Sequence, residues 1–249
     1  MNTLYSKIRN FFYQIFNKKP INLSKNLISK SSLESAKLAR KALVSDLWTG
    51  VVIGDNAPHY HLKWKDIEMT KFPNDIYIYQ QIIWQAKPDV IVEVGTQRGT
   101  SAQFFNELIK AAGKPNSIVI TIDIYPVPEI QKSVLDSLGV IMITGDIKKL
   151  STQQKVVPYI KDKNFLLVDD GSHRYEDVMA SLQFFQKYQA PGNYMIVEDG
   201  ITDVMLSRKN RNALEAVDNF LTENTDYVRV LDFDHWLMST TFGGIIRRL

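Results

Sequence analysis

Phe165-Leu166-Leu167-Val168 runs straight into Asp169-Asp170-Gly171-Ser172-His173, and downstream Tyr194-Met195-Ile196-Val197 runs into Glu198-Asp199-Gly200. A short apolar run that stops at paired acids and a glycine reads as a buried strand whose C-terminal end empties into a site. If the two strands are parallel neighbours, Asp170, Glu198 and Asp199 converge at one crevice, with His173 beside them. Three carboxylates so placed repel one another unless a positive charge sits between them. Oxygen donors suit a hard cation such as Mg2+ or Ca2+. The plainer alternative is that acids at strand ends cap the helices that follow.

From residue 88 onward, strand and helix patterns alternate. Asp89 to Val94 is a buried strand that breaks at Gly95, and Thr100 to Ala112 is a helix with Ala102, Phe105, Leu108, Ile109 and Ala112 on one face. Strands are expected at 117–123 and 140–144, and helices at 127–138 and 151–162. Val178, Leu182 and Phe185 mark a helix after the first motif; a helix over 210–222 and strands over 227–233 and 242–248 close the chain. The pattern predicts an α/β fold: a Rossmann-like, doubly wound, mostly parallel sheet over 76–249. Residues 1–75 read as a mainly helical N-terminal extension, an acceptor lid or an oligomer contact. Ser31 and Glu34 form a capping box for a helix through Leu38 to Leu43. Phe72-Pro73-Asn74-Asp75 reads as a turn before a helix whose apolar face is Tyr79, Ile82, Ile83 and Ala86.

Composition excludes several classes. The chain has no cysteine, which removes disulfides, thiolate nucleophiles and zinc–cysteine sites and fits a cytoplasmic location. A net charge of +3 without an aromatic-interleaved basic stripe gives no reason to expect a nucleic-acid partner. No apolar stretch approaches the roughly 20 residues that span a bilayer. Leu4, Ile8, Phe11, Phe12 and Ile15 recur at helical spacing among Lys7, Arg9, Lys18 and Lys19. Such a basic amphipathic helix packs on its own protein or another subunit, or makes weak contact through residues 1–19 with an anionic membrane surface. His59 and His61 could share one side of a strand as metal ligands, but a surface loop is the preferred reading.

The first strand turns through Glu93-Val94-Gly95-Thr96-Gln97-Arg98-Gly99-Thr100-Ser101. Glycines at a strand-to-helix turn bring the backbone close to a ligand, and the helix start offers free N–H donors. The spacing is not the dinucleotide G-x-G-x-x-G, which argues against a nicotinamide oxidoreductase. Asp123, ending the next strand, can receive a ribose, and Asp146 then flanks an adenine.

At these residues the sequence resembles the class I S-adenosylmethionine-dependent methyltransferases. More narrowly, it is similar to the cephalosporin hydroxylase/rhamnosyl O-methyltransferase group and the metal-dependent macrolide-sugar O-methyltransferases. The resemblance rests on Trp48-x-Gly50, Tyr79-Gln80, Lys87-Pro88-Asp89, Glu93-Val94-Gly95-Thr96, Asp170-Gly171-Ser172-His173, Val197-Glu198-Asp199 and the ending Gly243-Gly244-Ile245-Ile246-Arg247-Arg248. It implies an S-adenosylmethionine pocket lined by Glu93, Gly95, Thr96, Gln97, Gly99, Ser101, Asp123, Asp146 and Asp169. It further implies Mg2+ held by Asp170, Glu198 and Asp199, with His173 as general base. The group's glycine-glycine-serine is Gly99-Thr100-Ser101 here, and Asp169 replaces Asp170 as ligand if the strand register shifts by one.

The chemistry implied is methyl transfer to a hydroxyl, with an acceptor that is a sugar in a polysaccharide or a glycosylated natural product, or another small molecule. A homo-oligomer is expected from the group. An inactive cofactor-binding subunit is the alternative, against which the intact acids and histidine argue. Residues 46–75 and 201–211 are expected to shape the acceptor pocket, and Arg208, Lys209 and Arg211 read as a solvated charge run or as contacts to an anionic acceptor.

Overall fold

The structure, a computed structural model, describes residues 61–200, 212–233 and 239–249. The expectations for residues 1–19, the helix through Leu43, His59, and Arg208, Lys209 and Arg211 lie outside the described residues. The unit described here is Leu62–Leu249.

A two-stranded hairpin of β1 (Lys63–Trp64) and β2 (Ile67–Glu68) leads into α1 (Pro73–Ala86). Helix α1 begins where the sequence allows it. Pro73 fixes the first-turn φ, and the Asp75 carboxylate accepts the Phe72 N–H at 2.8 Å. It ends at Lys87, whose left-handed φ of 41° precedes Pro88, a residue that cannot continue a helix.

Five parallel strands follow: β3 (Val90–Val94), β4 (Ile118–Asp123), β5 (Ile141–Thr144), β6 (Phe165–Asp169) and β7 (Tyr194–Val197). Between them run α2 (Thr100–Ala111), α3 (Glu129–Ser137), α4 (Leu150–Ile160) and α5 (Tyr175–Phe185). After β7 come α6 (Ala213–Glu223), β8 (Tyr227–Arg229) and β9 (Ile245–Arg248). The sheet order is β5-β4-β3-β6-β7-β9-β8, with β9 antiparallel to both of its neighbours, β7 and β8. The chain winds outward from β3 through β4 and β5, then returns to β6 on the other side of β3. That reversal opens a crevice at the carboxyl ends of β3 and β6.

The central strands are apolar on both sides because both sides are covered. Ile91, Val119, Leu166, Val168 and Ile196 pack with Ile78, Tyr79 and Ile82 of α1, Phe105 and Ile109 of α2 and Leu135 of α3. Val92, Ile120, Leu167 and Met195 pack with Val156 of α4, Val178, Leu182 and Phe185 of α5 and Val217 and Phe220 of α6. The expected doubly wound sheet is therefore present. The compact unit begins at Leu62, and the last two strands are shorter than the sequence pattern suggests: β8 stops at Arg229 and β9 starts at Ile245.

Candidate active site

Strand alternation decides which acids share a face. Successive side chains point to opposite sides of a sheet. Asp170 therefore follows Val168 toward α1, and Glu198 follows Ile196 the same way, whereas Asp169 follows Leu167 toward α5. The ladder extends past the strand ends to hold this register: Asp170 N–H donates to Val94 O at 2.8 Å and Glu198 N–H to Asp169 O at 2.9 Å. Asp169 is buried with Oδ1 accepting the Gly171 N–H at 3.3 Å, and burial pushes its carboxyl up to about 6. The one-residue shift that would exchange Asp169 for Asp170 is not adopted.

Asp170 and Glu198 meet through a residue the sequence reading passed over. Lys71, on the segment between β2 and α1, is 1% exposed and places Nζ 2.5 Å from Asp170 Oδ2 and 2.6 Å from Glu198 Oε1. Burial disfavours its ammonium, but Asp170, Glu198 and Glu93 outweigh that and hold its pKa above the ordinary lysine value. Burial and the Glu198 charge push the Asp170 carboxyl up, against the pull of Lys71. The Tyr79 hydroxyl also donates to Glu198 Oε1. Glu198 Oε2 lies 2.9 Å from Thr240 Oγ1, which is also 3.0 Å from Asp75 Oδ2. A hydroxyl carries one hydrogen. Thr240 therefore shares one hydrogen between the two carboxylates, and burial and the Glu198 charge push the Asp75 carboxyl up to about 6.

His173 lies on the crevice side of this network. Its Nε2 is 3.5 Å from Asp199 Oδ2 and 3.8 Å from Asp170 Oδ1, and its buried Nδ1 has no hydrogen-bond partner. His173 and Asp199 both hold left-handed backbone, φ 55° and 65°, as does Gln97 at 46°. Non-glycine residues in that region are uncommon and cluster at functional sites. These three stand after β6, β7 and β3, around one crevice.

The glycine turn owes its glycines to packing. A Cβ on Gly95, at φ +100°, would fall 2.0 Å from the Asp170 carbonyl oxygen, and one on Gly99 would fall 2.7 Å from Leu135 Cδ1. Asp123 Oδ2 accepts the N–H groups of Thr96 and Gln97, and its Oδ1 accepts that of Tyr125 at 3.0 Å. Glu93 is fully buried under the turn, with Oε2 accepting the Thr121 hydroxyl at 2.6 Å. Burial raises its carboxyl to about 7, with Lys71 and Ser101 opposing. Asp146, at the end of β5, accepts the Lys148 N–H at 3.0 Å.

The donor chemistry around His173 is that of hard oxygen ligands. Asp170 and Asp199 are a quarter to a third exposed, and so open to the crevice. The arrangement differs from the expected convergence of three carboxylates: Asp170 is joined to Glu198 by Lys71, and Asp170 faces Asp199 across His173. Among the described residues no three His, Asp or Glu side chains lie close enough together to hold an ion.

This topology, with a glycine turn after β3 and acids ending β4, β6 and β7, is the fold of class I methyltransferases. Two CmcI structures share it: one with Mg and SAM (TM-score 0.59, 20% identity, covering 84% of this chain and 86% of that one) and an apo form (0.60, 19%, 84% and 85%). At that identity the likeness speaks to the fold. The chain belongs to the rhamnosyl O-methyltransferase/CmcI family, whose model matches residues 56–249. It is 27% identical over 143 residues to the rhamnosyl O-methyltransferase of Mycobacterium leprae, a match that covers 55% of this chain and 59% of that protein. The Mycobacterium tuberculosis (strain H37Rv) protein of the same name is 24% identical over 135 residues (53% and 54%). The chain thus spans a little over half the length of the curated relatives it matches.

Proposed function

We propose that this chain transfers a methyl group from S-adenosylmethionine to a hydroxyl of a sugar, in a polysaccharide or glycosylated natural product, with Mg2+ at the acceptor. The observation that carries the reading is His173, whose Nε2 faces Asp170 and Asp199 at the crevice where the sheet reverses direction. Family membership and the sugar in the relatives' name, rhamnosyl O-methyltransferase, support it.

In this reading Glu93, Gly95, Thr96, Gln97, Gly99, Ser101, Asp123, Asp146 and Asp169 form the cofactor side. Asp170, Glu198 and Asp199 would hold Mg2+, which requires them to draw together from the positions described above. When bound, the cofactor supplies an electrophilic methyl on sulfur and the cation lowers the pKa of the acceptor hydroxyl. A sugar hydroxyl is a poor nucleophile, so its proton must leave as the methyl arrives. His173 Nε2 accepts that proton while the acceptor oxygen forms the new bond to carbon and sulfur keeps the electron pair of the old one. Asp170 and Asp199, 3.8 and 3.5 Å from Nε2, orient the imidazole. The walls of the crevice hold oxygen and methyl in line, which contributes much of the rate.

Calorimetric titration with S-adenosylmethionine and S-adenosylhomocysteine, in Mg2+ and then in EDTA, tests the class. Micromolar binding supports it and justifies an acceptor screen beginning with deoxysugars; binding of neither overturns it. The same reading includes a small-molecule or saccharide acceptor, no nucleic acid, a homo-oligomer, and a cytoplasmic protein with weak inner-membrane contact through residues 1–19. Sedimentation with and without anionic vesicles tests the last two.

A further inference from the structure

Two of the carboxylates assigned to Mg2+ are already bridged by a cation that belongs to the chain. Lys71 Nζ lies 2.5 Å from Asp170 Oδ2 and 2.6 Å from Glu198 Oε1, with its side chain 1% exposed. Each carboxylate oxygen offers about two acceptor positions. On Glu198, Oε1 takes Lys71 and Tyr79, and Oε2 takes Thr240. Three of the roughly four acceptor positions of Glu198 are therefore taken by protein hydrogens.

Mg2+ binds carboxylate oxygens at about 2.0–2.1 Å and keeps near-octahedral geometry. An ion at that distance from both Asp170 Oδ2 and Glu198 Oε1 would occupy the space of the Lys71 ammonium and be repelled by its charge. Removing Lys71 with nothing in its place would leave Asp170 and Glu198 facing each other in a buried site. A cation between them stabilises the pair, and the fold provides one.

We propose that Lys71 is an internal stand-in for the divalent cation: ammonium and metal hold the Asp170–Glu198 pair alternately, so the metal enters only as Lys71 gives up at least one carboxylate. This rests on the assignment of Asp170 and Glu198 as metal ligands. The metal-free chain keeps its crevice shaped without ligand. Mg2+ then binds more weakly than three carboxylates alone would hold it.

Magnesium chloride titrated into the full chain and into Lys71→Met, without cofactor, reads the competition directly, alongside thermal unfolding in EDTA and in Mg2+. The expected result is at least tenfold tighter Mg2+ binding by Lys71→Met, with a melting temperature that falls in EDTA and is restored by Mg2+. Equal affinity in both proteins overturns the role of Lys71 while leaving the metal site standing. Binding by neither removes the metal assignment and this proposal with it. Should Lys71→Met fail to fold, the native chain labelled with 15N-lysine gives the second measurement. The slowly exchanging ammonium signal of buried Lys71 is expected to shift or vanish as Mg2+ saturates, and an unchanged signal at saturation overturns the proposal.

Discussion

Asp123 Oδ2 accepts the backbone N–H of Thr96 at 2.9 Å, and that of Gln97 at 3.0 Å, so the acid that ends β4 braces the turn that ends β3. The turn carries Gln97 in left-handed backbone, and two hydrogen bonds to one charged oxygen help to offset that strain. The same acid cannot then present both oxygens freely to a ribose. Its primary work is to shape the loop on which a cofactor would rest.

Asp123→Ala is accordingly expected to cost about 1 kcal/mol of stability, since water can reach part of the vacated site, and to weaken S-adenosylhomocysteine binding at the same time. Asp123→Asn keeps a carbonyl acceptor and is expected to retain most of both. Urea denaturation and calorimetry on the two variants check this. An alanine variant with an unchanged midpoint would mean that the turn holds itself.

Gly95 is fixed by a closer constraint. Its Cβ would lie 2.0 Å from a backbone oxygen of Asp170, which cannot rotate away, whereas a Cβ on Gly113, at a similar positive φ of +84°, meets nothing within 4 Å. Gly95→Ala is expected to lose at least about 3 kcal/mol or fail to fold, because it pushes β3 from β6. Gly113→Ala is expected to lose about 1 kcal/mol, from backbone strain alone. Comparable denaturation midpoints for the two would refute the packing account of Gly95.

Much of the fold was legible because strands covered on both sides must be continuously apolar, and β3, β6 and β7 each end that run at a charged or glycine residue. The same signal placed Asp170, Glu198, Asp199 and His173 just past the ends of neighbouring strands, but it did not show Lys71 standing between Asp170 and Glu198. Lys71 was not legible. A single lysine ahead of Phe72-Pro73 has no periodicity, and its partners come from β6 and β7, brought to it only by the finished sheet. Thr240 and Asp75 were hidden for the same reason: Asp75 caps α1 as its sequence position announces, but it also reaches across the fold to Ser239 and Thr240. Asp169 and Asp170 could not be separated by composition, but the two-residue alternation of the strand separates them in space.

His173 offers the most direct test of the chemistry. Its Nε2 faces the Asp170 and Asp199 carboxylates at 3.8 and 3.5 Å. His173→Ala is expected to bind S-adenosylhomocysteine with unchanged affinity and to lose turnover by roughly 100-fold or more, the usual range for removing a general base. Steady-state kinetics and one binding isotherm suffice. Full turnover in the variant would end the assignment.

Glu93 ties stability to pH in a direction that can be worked out. It is fully buried, and burial raises its carboxyl from an ordinary 4.5 to about 7, with Lys71 opposing. The native chain therefore binds a proton that the unfolded chain has released across the window from about 4.5 to 7. Stability falls as pH rises through that window, and the full cost of burying the charge stands above it. The shift corresponds to at most about 3 kcal/mol. Glu93→Gln keeps an oxygen for the Thr121 hydroxyl and removes the titration. The variant is thus expected to be no better than the native chain at pH 4 and to gain on it progressively up to pH 8. Urea midpoints of both proteins across that range measure the difference, and a difference that does not change with pH would show that Glu93 is held ionised throughout, with Lys71 as its counter-charge.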